Sequence, residues 1–225
     1  RFKIRGGEGQ PNTNKFAHQF LGARRTKSLG TTTLLSLGED NIIYKWNANT
    51  NESTKWIELD SYAGDHDWLP QTKGSSELVA IGYADGTVKL FNKSGKLEKN
   101  INDAHKKSVI SVKWSYDGNA LATSSQDGSV KIWSKNGSLR TNLIQTEKPI
   151  YSVSWSPESD ALLYCSDKTI YLKPISANQQ KQLQWKAHEG LILKVDWSPS
   201  NNCIISCGED CKYKVWDSYG TLLLT

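Results

Sequence analysis

Long hydrophobic runs, cysteines and helical periodicity are all scarce in this 225-residue chain. No run of 18 apolar residues occurs and no apolar segment lies at the start, so we expect neither a membrane span nor a signal peptide. Four cysteines are too few for a disulfide framework, which favours reduced thiols and a cytoplasmic protein. No window sustains an apolar period of 3.6 residues, so we expect very little helix.

Signatures of catalysis are missing as well. The sequence contains no GxSxG, HExxH or GxxxxGK[ST] motif, and the Gly-rich opening RGGEGQ lacks the strand, helix and lysine of a phosphate cradle. His66, flanked by Asp65 and Asp67, is the one catalytic-looking cluster, and we interpret it as a polar loop that leads into a strand at Trp68. We therefore predict a protein that is not an enzyme and uses no cofactor.

Three cysteines raise the question of a metal site. Cys203, Cys207 and Cys211 are spaced by four residues. On a strand and the turn after it their side chains would point in different directions, and neither a CxxC pair nor a histidine at ligand spacing joins them. We predict no metal site.

The positive charge of the chain is mild, at a formal +5. Its short basic clusters are GARRTK and HKKS, which we interpret as solvated strand ends. Most of the nine tryptophans fall at repeat positions, where they are better explained as core than as platforms for bases. We therefore do not expect a nucleic-acid partner.

What the chain does contain is a repeat of 41 or 42 residues. Trp114, Trp155 and Trp197 mark it in VKWSYDG, VSWSPES and VDWSPSN. In a second marker an aspartate precedes an aromatic residue by six positions, in the pairs Asp40–Trp46, Asp85–Phe91, Asp127–Trp133 and Asp210–Trp216. A third marker is a histidine 22 residues before that aspartate, in the pairs His18–Asp40, His105–Asp127 and His188–Asp210. Markers that keep one period indicate a repeat architecture.

Each repeat has the pattern of four short strands, which we call a to d. In the third repeat SVISVKW, ALATSS, VKIWS and SLRTNL are separated by SYDG, QDG and KNG. Asn136-Gly137 is a favoured hairpin turn, because both residues tolerate positive φ. The repeats run approximately over 17–60, 61–102, 103–145, 146–186 and 187–225.

These markers resemble the WD40 family, whose fold is an all-β propeller. The resemblance implies a buried tetrad in each matching repeat, made of a histidine, the turn aspartate, the strand-c tryptophan and a strand-b hydroxyl. The matching residues are His18, Asp40 and Trp46; His105, Asp127 and Trp133 with Thr123 or Ser124; and His188, Asp210 and Trp216 with Ser206. The second and fourth repeats lack a histidine in register, and the fourth has Lys173 in place of the aromatic residue, so both should rely on packing alone.

The same family leads us to expect seven blades in a closed ring, of which five are present. We therefore expect residues 1–225 to be a single incomplete propeller, as a fragment of a longer chain would be. Residues 1–4 would form the outer strand that closes the ring.

A closer resemblance, carried by DGSVKIWSKNGSLR, AHEGLILKVDWSP and GEDCKYKVWDSYG, is to WD40 subunits of intraflagellar-transport complex B. It implies a non-enzymatic scaffold needed for cilium assembly, located in the cilium or flagellum, at the basal body and in the cytoplasm. The implied partners are other complex-B subunits, among them a calponin-homology domain. The alternatives are a propeller that binds RNA or a substrate receptor of a ubiquitin ligase.

Partner-contacting residues are predicted from repeat geometry alone. Positions just after the tetrad histidine and just before the tetrad aspartate should lie at the mouth of one face. They are Lys106, Lys107, Gln126, Glu189 and Glu209. Their mixed charges suit an electrostatically complementary protein partner.

Overall fold

The computed structural model describes residues 33–37, 40–70, 77–175 and 182–225. Within these ranges it contains nineteen strands in five antiparallel sheets, and no helix that could cross a membrane. The predicted all-β fold is confirmed. His18 and the predicted outer strand 1–4 lie outside the described residues.

The sheets follow one another along the chain. Sheet one contains β1 (Thr33–Leu37), β2 (Ile42–Asn47) and β3 (Glu52–Glu58), and sheet two contains β4 (Ala63–Trp68), β5 (Leu78–Tyr83), β6 (Val88–Asn92) and β7 (Leu97–Ile101). Sheet three contains β8 (Val109–Trp114), β9 (Ala120–Ser125), β10 (Ser129–Ser134) and β11 (Leu139–Gln145). Sheet four contains β12 (Ser152–Trp155), β13 (Ala161–Ser166), β14 (Thr169–Pro174) and β15 (Leu183–Lys186). Sheet five contains β16 (Ile192–Trp197), β17 (Ile204–Gly208), β18 (Tyr213–Trp216) and β19 (Leu222–Leu224).

The first strand of each four-stranded sheet is its inner strand, strand a. Strands β4, β8, β12 and β16 lie beside one another in that order. Burial falls from the inner to the outer strand: β4 is buried along almost its whole length, whereas four of the five residues of β7 are exposed. This gradient follows from stacking sheets around their inner strands, which excludes water there first.

Four apolar clusters fill the spaces between successive sheets. The cluster between sheets two and three, for example, joins Leu90 to Val112 and Leu121. Most of the repeat tryptophans belong to these clusters, and five are at most 5% exposed: Trp114, Trp133, Trp155, Trp197 and Trp216. The tryptophans are therefore core residues, and they hold each sheet against the next.

Side chains connect the inner strands of sheets two and three, where a main-chain ladder does not. Asp65 Oδ2 accepts a hydrogen bond from Val112 N at 2.9 Å, and Asp67 Oδ2 accepts one from Trp114 N at 2.8 Å. Our interpretation of Asp65, His66 and Asp67 as a polar loop is therefore wrong. All three lie inside β4 and are at most 4% exposed, because the two carboxylates satisfy backbone donors of the neighbouring sheet.

Glycine is required in the b–c turns of sheets two and three. Gly86 and Gly128 have φ values of 90° and 77°. A Cβ atom would stand 2.3 Å from His105 O at Gly86, and 2.1 Å from Thr146 O at Gly128. The missing side chains allow the next loop of the chain to lie directly on each turn.

Candidate protein-interaction site

Sheet five contains a four-residue hydrogen-bonded network. Trp216 Nε1 donates to Ser206 Oγ at 2.9 Å, Ser206 Oγ lies 2.8 Å from His188 Nε2, and His188 Nδ1 lies 2.9 Å from Asp210 Oδ1. Because the carboxylate can only accept, Nδ1 carries the proton and Nε2 accepts from the serine hydroxyl. One chain of donors therefore runs from tryptophan through serine and histidine to aspartate.

Sheet three builds a longer version of this network. His105 Nε2 lies 2.7 Å from Thr123 Oγ1, which also accepts a hydrogen bond from Trp133 Nε1 at 2.9 Å. Thr123 rather than Ser124 is thus the strand-b hydroxyl of this network. On the other ring nitrogen, Ser129 Oγ lies 2.7 Å from Nδ1 and donates to Asp127 Oδ1 at 2.6 Å. Ser129 is a member that the sequence analysis missed.

Sheet one keeps part of the pattern within its described residues. Trp46 Nε1 donates to Ser36 Oγ at 2.6 Å. Asp40 is exposed and accepts hydrogen bonds from Ile42 N and the Tyr44 hydroxyl. The predicted partner His18 lies outside the described residues.

Sheets two and four use other contacts at these positions. In sheet two, Thr87 Oγ1 donates to Asp85 Oδ1 at 2.7 Å. In sheet four, Thr146 stands nine residues before Trp155, as His105 stands before Trp114, and Thr146 Oγ1 donates to Lys148 O at 2.7 Å.

The charges of the two complete networks are fixed by their surroundings. Burial lowers the pKa of His105 to about 4, against the opposing effect of Asp127. Burial alone would raise the pKa of Asp127, but hydrogen bonds from Ser129 and from Lys106 N outweigh it and lower that pKa to about 2. In the same way, His188 and Glu189 N hold the pKa of Asp210 at about 2 against desolvation. At neutral pH both aspartates are ionised and His105 is neutral. Each of these groups is hydrogen-bonded within its own network.

The networks anchor one end of the sheets, which we call the tetrad face. It consists of the d–a loops and b–c turns at residues 59–62, 84–87, 102–108, 126–128, 146–151, 167–168, 187–191 and 209–212. Main-chain hydrogen bonds join each b–c turn to a d–a loop: His105 N to Gly86 O, Gln126 N to Ser108 O, Thr146 N to Gly128 O, Ala187 N to Lys168 O and Glu209 N to Leu191 O, all at 2.8 to 3.0 Å. The face is therefore a connected surface that is fixed before any partner binds.

All five predicted partner-contacting residues lie on the tetrad face and are exposed, in two groups that are two sheets apart. Lys106 N donates to Asp127 Oδ2 at 2.8 Å, and Glu189 N donates to Asp210 Oδ2 at 3.1 Å. Each aspartate therefore fixes the backbone of the residue that follows the histidine. Gln126 N donates to Ser108 O, the residue that follows Lys107. Glu209 Oε2 accepts a hydrogen bond from Leu191 N at 3.3 Å.

The three spaced cysteines lie along sheet five. Cys203 is half-buried, whereas Cys207 in β17 and Cys211 in the following turn are exposed. Across the described ranges, no group of three or more His, Cys, Asp or Glu side chains is placed to hold a metal ion.

The repeats also match a known family model, that of the WD domain, G-beta repeat. The matched segments are 95–134, 137–172 and 179–217, together just over half of the chain. This chain belongs to the WD40 family. The WD40 resemblance inferred from the three markers is thereby confirmed.

Two curated relatives show which WD40 proteins this chain is similar to. It is 45% identical over 205 residues to the "Intraflagellar transport protein 80 homolog" of Mus musculus and to the protein of that name from Rattus norvegicus. Each alignment covers 87% of this chain and 26% of the relative. The WD40 chain thus spans about a quarter of the length of the relatives it matches.

Proposed function

We propose that this WD40 chain belongs to a non-enzymatic scaffold subunit of intraflagellar-transport complex B that is needed for cilium assembly. The observation that carries the proposal is the 45% identity, over 87% of the chain, to two intraflagellar transport proteins. The protein would be located in the cilium or flagellum, at the basal body and in the cytoplasm. Residues 1–225 would form a single incomplete propeller, five blades of an expected seven, within it.

The tetrad face is the surface that we assign to partner binding. Its loops are exposed, yet main-chain bonds and the two tetrad aspartates hold them in place. A surface fixed in this way loses little conformational entropy on association, which suits a scaffold. The partners would be other complex-B subunits, including one with a calponin-homology domain.

The chemistry of the site supports a role in binding rather than in catalysis. The histidines of the two complete networks are at most 3% exposed, and each ring nitrogen has a partner inside its network. A general base needs a free lone pair that a substrate can reach. His105 and His188 offer none and serve instead to hold the loops.

The test is co-purification of the tagged full-length protein from ciliated cells, with mass spectrometry of the proteins recovered. We expect the other complex-B subunits in stoichiometric amounts, and an unrelated tagged WD40 protein serves as the control. Recovery of RNA or of a ubiquitin-ligase adaptor in place of the complex would refute the proposal and favour one of those functions.

A further inference from the structure

The four d–a loops of the tetrad face are equivalent in position, which allows their charges to be compared. Counting nine residues back from the strand-a tryptophan gives one anchor residue in each loop. The two positions after the anchors hold Asp60 and Ser61, Lys106 and Lys107, Glu147 and Lys148, and Glu189 and Gly190. Only the loop of sheet three carries two cations.

In the other three loops Asp60, Lys148 and Glu189 are paired within the chain, and only Glu147 has no ion pair among the described residues. Asp60 pairs with Lys89 at 2.5 Å. Lys148 pairs with Asp167 at 2.7 Å, and Glu189 pairs with Lys186 at 2.8 Å. Lys106 and Lys107 are both exposed, and neither ammonium group has an ion-pair partner among the described residues. Two adjacent positive charges are therefore left for an external partner.

The loop that carries these lysines is held firmly on both sides. Asp127 accepts from Lys106 N at 2.8 Å, and Lys107 O accepts from the Ser125 hydroxyl at 3.1 Å. Ser108 Oγ donates to Ala84 O of sheet two at 2.8 Å. Because the backbone is fixed, only the lysine side chains must be ordered when a partner binds.

An exposed aromatic residue lies on the neighbouring d–a loop, which two hydrogen bonds through Ala84 connect to the loop of the lysines. Ala84, which accepts the bond from Ser108, donates its own N–H to Tyr62 O at 2.8 Å. The Tyr62 side chain is 42% exposed. Tyrosine offers a large apolar contact area with a polar tip, and such residues are enriched where proteins bind one another.

We propose that Lys106, Lys107 and Tyr62 form a docking corner for an acidic segment of a protein partner. The inference rests on the proposed function and names the chemistry of the partner. Glu147 on the next d–a loop, which has no ion pair among the described residues, favours a protein over a nucleic acid, because it would repel a continuous line of phosphates. A short acidic segment places its charges on the two lysines alone.

A labelled twelve-residue peptide with four consecutive glutamates between glycine and serine residues tests the docking corner directly, by fluorescence anisotropy with the full-length protein at low salt. Three proteins are compared: the wild type, the double variant K106E/K107E, and the control K96E/K135E, which makes the same charge change in the c–d hairpins. We expect K106E/K107E to bind about tenfold more weakly and the control to bind like the wild type. Equal melting temperatures establish that all three are folded.

Three outcomes would overturn the inference: no binding by the wild type, equal binding by all three proteins, or a twelve-nucleotide RNA that binds more tightly with the same dependence on Lys106 and Lys107. The peptide measurement is independent of the co-purification experiment. An acidic-peptide site could persist if the protein proved not to belong to complex B. Conversely, the complex could form while the peptide result is negative, so the two failures are distinguishable.

Discussion

Asp127 reaches His105 through the hydroxyl of Ser129, which lies 2.6 Å from the carboxylate and 2.7 Å from the ring nitrogen. The direct separation from Asp127 Oδ2 to His105 Nδ1 is 3.5 Å. In sheet five the corresponding histidine and aspartate touch directly at 2.9 Å. Two repeats of one chain thus connect the same residue types in two ways.

Removing the Ser129 hydroxyl should therefore destabilise the protein. Ser129→Ala deprives a buried histidine nitrogen of its partner, at a cost of about 1–2 kcal/mol in the free energy of unfolding. Urea unfolding measures the loss. Ser138→Ala, in the exposed c–d hairpin of the same sheet, is the matched control and should change stability little. Equal stability of both variants would mean that the hydroxyl is dispensable.

The low pKa of His105 makes stability depend on pH in a defined window. As pH falls from 6.5 to about 4, the unfolded chain takes up a proton at His105 that the folded protein does not. The folded state therefore loses up to about 3 kcal/mol over this range, and above it the contribution is constant. His105→Gln should have a flatter stability profile between pH 7.5 and 4 in urea unfolding. Parallel profiles for the two proteins would contradict the assignment.

A second acid-sensitive range follows from Asp127, whose pKa is lowered from 3.8 to about 2. Its contribution is complete above pH 3.8 and is lost as pH falls towards 2. Asp127→Asn should therefore remove part of the stability loss below pH 4 while leaving the His105 range in place. The measurement is the same urea titration, extended to pH 2.5. An unchanged slope below pH 4 would argue against the low pKa.

The inner strands should be sensitive to loss of Asp65. Asp65→Ala leaves the buried Val112 N–H without an acceptor and removes the carboxylate 3.9 Å from Lys113 Nζ. We expect a loss of about 3 kcal/mol or more in the free energy of unfolding. Asp65→Asn retains an acceptor oxygen and should lose less. If both variants unfolded at the same urea concentration as the wild type, the hydrogen bonds between β4 and β8 would contribute nothing to the free energy of unfolding.

Gly128 allows a test of close approach that is separate from backbone strain. Gly128→Ala and Gly118→Ala both place a side chain at positive φ, which costs about 1 kcal/mol in each. Only at Gly128 does the new Cβ meet a backbone oxygen at 2.1 Å, whereas at Gly118 the nearest atom is 3.5 Å away. Gly128→Ala should therefore lower the free energy of unfolding by a further ~1–3 kcal/mol. Similar losses in both variants would refute the contact.

Much of this arrangement could be predicted because the repeat markers are local. His188 and Asp210, singled out by their 22-residue spacing, lie 2.9 Å apart. The tryptophans of the repeat were expected in the core, and they lie between the sheets. Because three residue types recur with one period, they align the repeats with one another. The strands and turns identified in one repeat then give those of the others.

The residues whose roles the sequence analysis missed have one feature in common: each has a hydrogen-bond partner in another part of the chain. Asp65 and Asp67 look like loop residues because AGDHDW has no apolar alternation, and their hydrogen-bond donors stand 47 residues further on. Ser129 looks like an ordinary turn serine. The same offset in sheets two and four, where Thr87 follows Asp85 and Thr169 follows Asp167, was the available signal that a hydroxyl belongs there, and Thr87 donates to Asp85.

The bonds that tie each b–c turn to a loop of another strand pair also bear on how such proteins can be recombined. The shape of the loop after β7 depends on Gly86, and that of the loop after β11 depends on Gly128. The surface of one repeat is therefore partly determined by residues of the repeat before it. A block exchanged between two proteins at the boundaries of the sequence repeat would arrive without the turn that shapes its first loop. Cuts made just ahead of the b–c turn keep that turn and the loop together, and grafts made there should carry their binding surface with them.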